Sequence, residues 1–168
     1  MHLLIGAGNS RQRKLGEGEW ISLVTLDMDG GTGCDVVHDL DVFPYPFEAN
    51  TFTEVHAYDV VEHLGRQGDW RSFFALFDEI WRILAPGGRF YIITPNQHSK
   101  WAWGDPGHTR VVTPEQLGFL NRPFYARNVG RTPMTDYRPF FVSDWDAAGE
   151  VLPDHYHYCL TAAKPARI

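Results

Sequence analysis

The feature that most limits what this chain can fold into lies in its first ten residues. His2-Leu3-Leu4-Ile5 runs straight into Gly6-Ala7-Gly8-Asn9-Ser10. Three successive large apolar side chains suit a strand buried on both faces, as in a parallel sheet. Gly6 and Gly8 lack a Cβ, so the backbone after that strand can turn sharply and lie against a ligand. A strand followed by a glycine turn is how open α/β sheets hold nucleotide-like molecules. The same spacing also serves as a plain turn, so the argument depends on where the acidic residues fall next.

They fall at the ends of the following apolar runs. Residues 20–26 (WISLVTL) are apolar and β-branched and predict a second strand, stopped by Asp27-Met28-Asp29-Gly30-Gly31. Asp27 lies 19 residues beyond Gly8. In a nucleotide-binding βαβ unit, an acid about 20 residues on accepts hydrogen bonds from two ribose hydroxyls. Asp27 and Asp29 are equally readable as turn residues, and the spacing alone does not choose between them. Residues 36–40 predict a short third strand ending near Asp39, and residues 51–58 a fourth. Asp59-Val60-Val61-Glu62-His63-Leu64 reads as a helical turn closed by Gly65.

The strongest periodicity spans residues 69–84. Trp70, Phe73, Phe74, Phe77, Ile80, Trp81 and Leu84 recur at helical spacing, with polar residues opposite. Ala85-Pro86-Gly87-Gly88 is read as its stop, and residues 89–94 (RFYIIT) as a fifth strand. A long loop over 96–112 carries Trp101, Trp103, Asp105, His108 and Arg110. Thr113-Pro114 opens a short helix over 114–120. Residues 121–137 show no period. Residues 140–145 read as a sixth strand, and 156–163 as a better one. This order predicts an α/β, Rossmann-like, mostly parallel sheet with helices on both faces and an antiparallel hairpin at the C-terminus.

Composition removes several classes. The 168 residues suit a single domain over 1–168, with no separate N-terminal substrate domain expected. With 43% hydrophobic and 21% charged residues the chain is neither disordered nor fibrous. A net charge of −6 speaks against general nucleic-acid binding. No apolar run approaches the ~20 residues of a membrane span, and no signal-peptide pattern opens the chain. Cys34 and Cys159 are too few for a disulfide framework, so a cytoplasmic location is expected.

Taken together, the Gly-x-Gly turn, acids ending the second and third strands, DVVEHL at 59–64 and the run Trp81-Arg82-Ile83-Leu84-Ala85-Pro86-Gly87-Gly88 have a specific order and spacing. In these the chain resembles the class I S-adenosylmethionine-dependent methyltransferases, particularly small bacterial and phage members. The match runs from about Leu3 to Asn96 and more weakly through Asp105-Pro106-Gly107-His108-Thr109-Arg110. The resemblance implies S-adenosylmethionine as cofactor and S-adenosylhomocysteine as product. It implies that Gly6, Ala7 and Gly8 approach the methionine part, and that Asp27, with Met28 beside it, holds the ribose, Asp29 being the substitute. Asp39 would accept from the adenine amino group, with the Leu40 backbone at the ring edge. Tyr58 and Asp59 would border the sulfonium. The chain departs from the pattern in three ways: it has no third glycine, its first connection is short, and it begins at the first strand without N-terminal covering helices.

Methyl transfer needs alignment and water exclusion, and a base only if the acceptor loses a proton. His63 and His108 are the candidate bases; each also reads as a packed or loop histidine. Glu62-His63 with Asp105 and His108 contains metal-ligand types at no defined distance, and no metal is expected. Trp101 and Trp103 are either substrate platforms or lid packing. The expected acceptor is a small molecule or sugar, and a homodimer hiding an open cleft is compatible. The alternative is a catalytically inactive cofactor-binding or assembly protein. A nicotinamide reductase would want glycine where Arg11 stands.

Overall fold

A computed structural model describes residues 1–167. Seven strands form one sheet: β1 (His2–Ile5), β2 (Leu23–Asp27), β3 (Val36–Val37), β4 (Phe52–Tyr58), β5 (Leu84–Pro95), β6 (Trp145–Val151) and β7 (His155–Ala162). Their spatial order is β3-β2-β1-β4-β5-β7-β6. The first five are parallel, while β7 runs antiparallel to both β5 and β6. This is the expected mostly parallel, Rossmann-like sheet with its antiparallel C-terminal hairpin. β1 is central, flanked by β2 and β4, and Leu3 and Ile5 are fully buried.

One face carries the main core. Leu3, Ile5, Val55, Ala57, Phe90, Ile92 and Leu160 meet α1 (Trp70–Ile83) through Phe74, Phe77, Ile80 and Ile83. Asp69 caps α1 by accepting from the Arg71 and Ser72 amides, both at 3.1 Å. The Pro-Gly-Gly segment is not a turn between helix and strand. Leu84 already pairs with Phe52, and the ladder slips before Arg89 pairs with Glu54, so residues 85–88 are an irregularity inside β5. Gly88 sits in that irregularity because a Cβ would meet the Ala85 carbonyl at 2.9 Å.

One expected strand moves, and two stretches without expected elements gain short helices. The sixth strand is Trp145–Val151, not 140–145. The backbone before it is held by side chains instead of a ladder: the Asp78 carboxylate accepts from Val142 and Ser143, and Arg122 donates to the Ser143 and Phe141 carbonyls. Phe141 stacks on Phe74 at 4.3 Å. The unassigned stretch holds α4 (Arg122–Asn128), capped by Asn121, whose side chain accepts from Phe124 N at 2.8 Å. The loop after β5 contains α2 (Lys100–Gly104), and the helix at 114 is α3 (Pro114–Leu117) followed by a 3-10 turn.

The other face is covered differently over β1 and β4. No helix joins β1 to β2; the loop between them lies on His2, Glu54, His56 and Tyr91. Arg13 donates to Glu54 at 2.7 Å and approaches His2 Nδ1 at 3.1 Å, and Trp20 packs edge-on against His56 at 4.8 Å. Tyr58 Oη accepts from the Lys14 and Leu15 amides and lies 2.7 Å from His56 Nδ1, whose other nitrogen reaches Glu54 at 3.0 Å. The hydroxyl therefore donates to His56 Nδ1, and His56 Nε2–H donates to Glu54. Burial lowers the His56 pKa to about 4, keeping the ring neutral. Removing the phenol oxygen leaves two loop amides and a fully buried ring nitrogen unpaired. Tyr58→Phe is expected to lower stability by about 1–3 kcal/mol in urea unfolding; a loss within the ~0.5 kcal/mol typical of surface changes would mean that the loop is held by packing alone.

Candidate active site

The candidate site lies at the carboxyl ends of the parallel strands, where open α/β sheets bind ligands. Gly6 and Gly8 both have positive φ, +57° and +50°. Their reasons for being glycine differ. A Cβ on Gly6 would meet Val60 Cγ2 at 2.4 Å, so Gly6 is required by the packing of the segment after β4. Nothing lies within 4 Å of a Cβ built on Gly8, so the chain's open approach is at Gly8. Ala7 is buried, and its amide bonds the Leu26 carbonyl at 3.2 Å.

Asp27 ends β2 and faces this loop. Its Oδ2 accepts from Gly8 N at 2.8 Å and its Oδ1 from Asp29 N at 2.9 Å. A carboxylate has about four acceptor positions, so lone pairs remain for neighbouring hydroxyls. Asp29 is committed to its own turn, capping residues 30–32 through Gly31 N at 2.8 Å. Met28 is exposed beside them. Asp39 is exposed two residues beyond the carboxyl end of β3 and accepts from Asp41 N at 2.9 Å. The Leu40 side chain is in the core, and its carbonyl accepts from Tyr45 Oη at 2.9 Å.

After β4, Asp59 stands exposed with φ +58°. Its two oxygens lie 3.5 Å from Lys14 Nζ and 3.6 Å from His155 Nε2. The Tyr58 phenol points to the opposite face, into the relay with His56, so only the Tyr58 backbone reaches the site edge. Arg11 was not singled out by its sequence context, yet it clamps the site. It stands where a nicotinamide-binding loop would need glycine, and donates to the carbonyls of Gly8 (2.8 Å), Ser10 (3.1 Å), Thr32 (3.3 Å) and Gly33 (3.2 Å). One guanidinium thus joins the glycine loop to the turn after β2.

The next crossover brings both candidate histidines together. His63 and His108 have ring centroids 4.6 Å apart in an edge-to-face contact. His63 is exposed, and its Nδ1 reaches the Gly107 carbonyl at 3.0 Å. That hydrogen bond puts the proton on Nδ1 and leaves Nε2 with the lone pair in the neutral ring. Glu62 is 1% exposed; its Oε2 accepts from Thr94 Oγ1 at 3.0 Å. Glu62 Oε1 and His108 Nδ1 are buried without partners, and His108 Nε2 lies 3.9 Å from both Glu62 Oε1 and Asp105 Oδ2. Glu62, His63 and His108 each offer a ligand-type atom within 4.8 Å of the others, so three of the four metal-type residues do converge. Trp101 and Trp103 are exposed nearby in sequence, on α2. His155 and His157 project from one face of β7, as their spacing requires.

This geometry is that of a cofactor-binding α/β sheet, and the comparisons give it a family. The profile of the methyltransferase-domain family matches residues 5–92, just over half of the chain. The chain belongs to that family, the class I S-adenosylmethionine-dependent methyltransferases. It is 27% identical over 154 residues to the sterol 24-C-methyltransferase of Eremothecium gossypii; the match covers 92% of this chain and 36% of that protein. Among solved structures it resembles an S-adenosylmethionine-dependent methyltransferase from Archaeoglobus fulgidus, with a TM-score of 0.59 and 15% identity, covering 95% of this chain and 85% of the other. It also resembles a methyltransferase from Methanosarcina mazei, with a TM-score of 0.54 and 14% identity over 99% and 92% of the two chains.

Burial pushes the Glu62 carboxyl up to about 7. A carboxyl whose folded pKa lies above the unfolded value favours the folded state while protonated. That contribution is complete below about 4.5 and is lost as pH rises through 7. Glu62→Gln keeps the shape and removes the titration. The variant's stability advantage over the parent is expected to grow by about 2–3 kcal/mol between pH 4.5 and 8, measured by urea unfolding across that range. A constant difference across the range would show that the ionised Glu62 is compensated by its neighbours.

Proposed function

We propose that this chain transfers a methyl group from S-adenosylmethionine to a small-molecule or sugar acceptor by in-line displacement. The observation that carries this reading is the Asp27 carboxylate fixed on Gly8 N beside the open approach at Gly8. S-adenosylmethionine, when bound, supplies a methyl group activated by a sulfonium. The chain's own residues bind, orient and exclude water. The backbone of Gly6-Ala7-Gly8 lies along the methionine part, and the Asp27 lone pairs accept from the ribose hydroxyls. Met28 covers the base, Asp39 accepts from its amino group, and the Leu40 backbone lines its edge. Asp59 and the Tyr58 backbone border the reacting centre.

For an acceptor that must lose a proton, His63 takes it at Nε2, with Nδ1 held by Gly107. His108, against the same ring, is the second candidate. The two free cysteines, Cys34 and Cys159, accord with a reducing, cytoplasmic setting, and no helix among the described residues is long and apolar enough to cross a membrane.

Calorimetric titration with S-adenosylmethionine and S-adenosylhomocysteine tests the cofactor site. Asp27→Ala is expected to weaken binding by about 1–3 kcal/mol, roughly 5- to 150-fold, and Asp29→Ala by little. The reverse pattern would move the ribose contact to Asp29. No binding to folded protein would favour an assembly role for the fold.

With an acceptor that loses a proton on methylation, His63→Ala is expected to lower kcat by about 100-fold or more at unchanged cofactor affinity. If His108→Ala alone slows the reaction, the base is His108. If turnover falls in chelator and returns with added zinc, Glu62, His63 and His108 act as ligands instead.

A further inference from the structure

Beside this site lies a cavity that the cofactor assignment does not use. It encloses about 190 Å³ between the start of α1, the segment at Arg110 and residues 116–137. Its walls include Trp70, Phe73, Phe119 and Tyr137, with Gln116 and Arg110 as polar members. Trp70 and Tyr137 stack at 4.8 Å, giving it a flat aromatic side.

Arg110 is the unusual member. It is 6% exposed, and no carboxylate oxygen lies within ion-pair distance of it among the described residues. Its hydrogen bonds all come from Nη2, to Ser72 Oγ at 2.6 Å and to the carbonyls of Arg66 (3.0 Å) and Asp69 (3.5 Å). Its Nε is buried with no partner. A guanidinium carries five N–H donors, and a buried cation with idle donors is costly unless an anion completes it. The other charges around Arg110 are Arg66 and Asp69 at the cavity wall and Asp41, whose carboxylate accepts from the neighbouring Gly65 amide. The Asp69 carboxylate is turned to the Arg71 and Ser72 amides as the cap of α1, and neither it nor Asp41 reaches the guanidinium, so neither occupies its free donors. The amino end of this 14-residue helix also favours an anion there.

We propose that this cavity binds a small molecule with a carboxylate or phosphate on an apolar ring. The acidic group pairs with Arg110, and the ring lies between the aromatic walls. Guanidinium groups match both anions in a two-point geometry. The cavity adjoins the candidate bases through the backbone, because the Glu62 carbonyl accepts from both Thr109 N (2.8 Å) and Arg110 N (3.2 Å). That this molecule is the methyl acceptor rests on the methyltransferase reading; the binding itself does not.

The test uses two probes of the same shape, indole-3-acetate and indole-3-acetamide, titrated without cofactor and followed by calorimetry and by the protein's ¹H–¹⁵N spectrum. The carboxylate is expected to bind at least 10-fold more tightly than the amide and to shift the Trp70 indole and Arg110 Nε signals. Arg110→Gln should abolish the difference. Because Arg110 also braces its surroundings, Gln116→Glu provides the second variant. Gln116 Oε1 accepts from Thr113 N at 3.1 Å, and glutamate can keep that contact while placing a negative charge at the cavity wall. Gln116→Glu should weaken the carboxylate at least 10-fold and leave S-adenosylmethionine affinity unchanged. Equal binding of the two probes, shifts confined to other tryptophans, or indifference to Gln116→Glu would overturn the proposal. Failure of S-adenosylmethionine to bind while the carboxylate still does would overturn the acceptor reading and leave the cavity assignment standing.

Discussion

The arrangement of the candidate site depends on one hydrogen bond, from Gly8 N to Asp27 Oδ2 at 2.8 Å. It ties the loop after the central strand to the tip of its neighbour, and so sets the spacing between the two walls of the candidate site. The parallel ladder ends at Ile5 paired with Leu26, and the Ala7 amide still reaches the Leu26 carbonyl. Asp27 carries that pairing one step further with a side chain. The same carboxylate accepts from Asp29, which begins the next turn, and Arg11 closes the circuit from the far side. A loop without a following helix thereby acquires a fixed position. The carboxylate at the mouth of the candidate site is also the one that holds the loop.

Where a crossover helix is absent, something else must keep water off the sheet. Here it is a polar relay: Lys14 and Leu15 amides to Tyr58, Tyr58 to His56, His56 to Glu54, and Glu54 to Arg13. Buried polar groups are tolerable when each is satisfied, and such networks then specify one arrangement. Trp20 and Tyr91 pack on the His56 ring and shield the relay. The loop is short because the relay replaces an apolar helical face with directed hydrogen bonds. The cost is that the strand residues beneath must be His, Glu and Tyr, polar types that a half-buried strand rarely carries.

Much of this was legible in the residues, for physical reasons that vary by element. β1, β2, β4 and α1 announce themselves because burial enforces periodicity, and the Asp27 spacing matches that of a βαβ unit although a helix-free loop joins β1 to β2 here. β6 was misplaced because its residues, WDAAGEV, are small and edge-exposed, whereas the aromatic stretch before it owes its apolar character to packing on α1. α4 hid behind a short length, and only Asn121 and Pro123 mark its start. Among the site residues, Asp27 and the two histidines were legible as types. Tyr58 was not, because which face a strand residue takes is decided by register, and register places it with His56 and Glu54. Arg11 and Arg110 escaped because an arginine's role lies in the carbonyls it reaches, often tens of residues away.

Glu62 and Arg110 illustrate how the two halves of the site are joined. They are buried groups of opposite charge type, and neither is paired with the other: Glu62 faces Thr94 and His108, and Arg110 faces Ser72 and the end of α1. Only backbone hydrogen bonds connect them. A direct ion pair would have cancelled both and left an inert core. Kept apart, the carboxyl lies against Thr94 and His108, and the guanidinium lines the aromatic cavity. The separation is enforced by the two adjacent amides, Thr109 and Arg110, on the single Glu62 carbonyl, which fixes the spacing between the two groups without spending either charge.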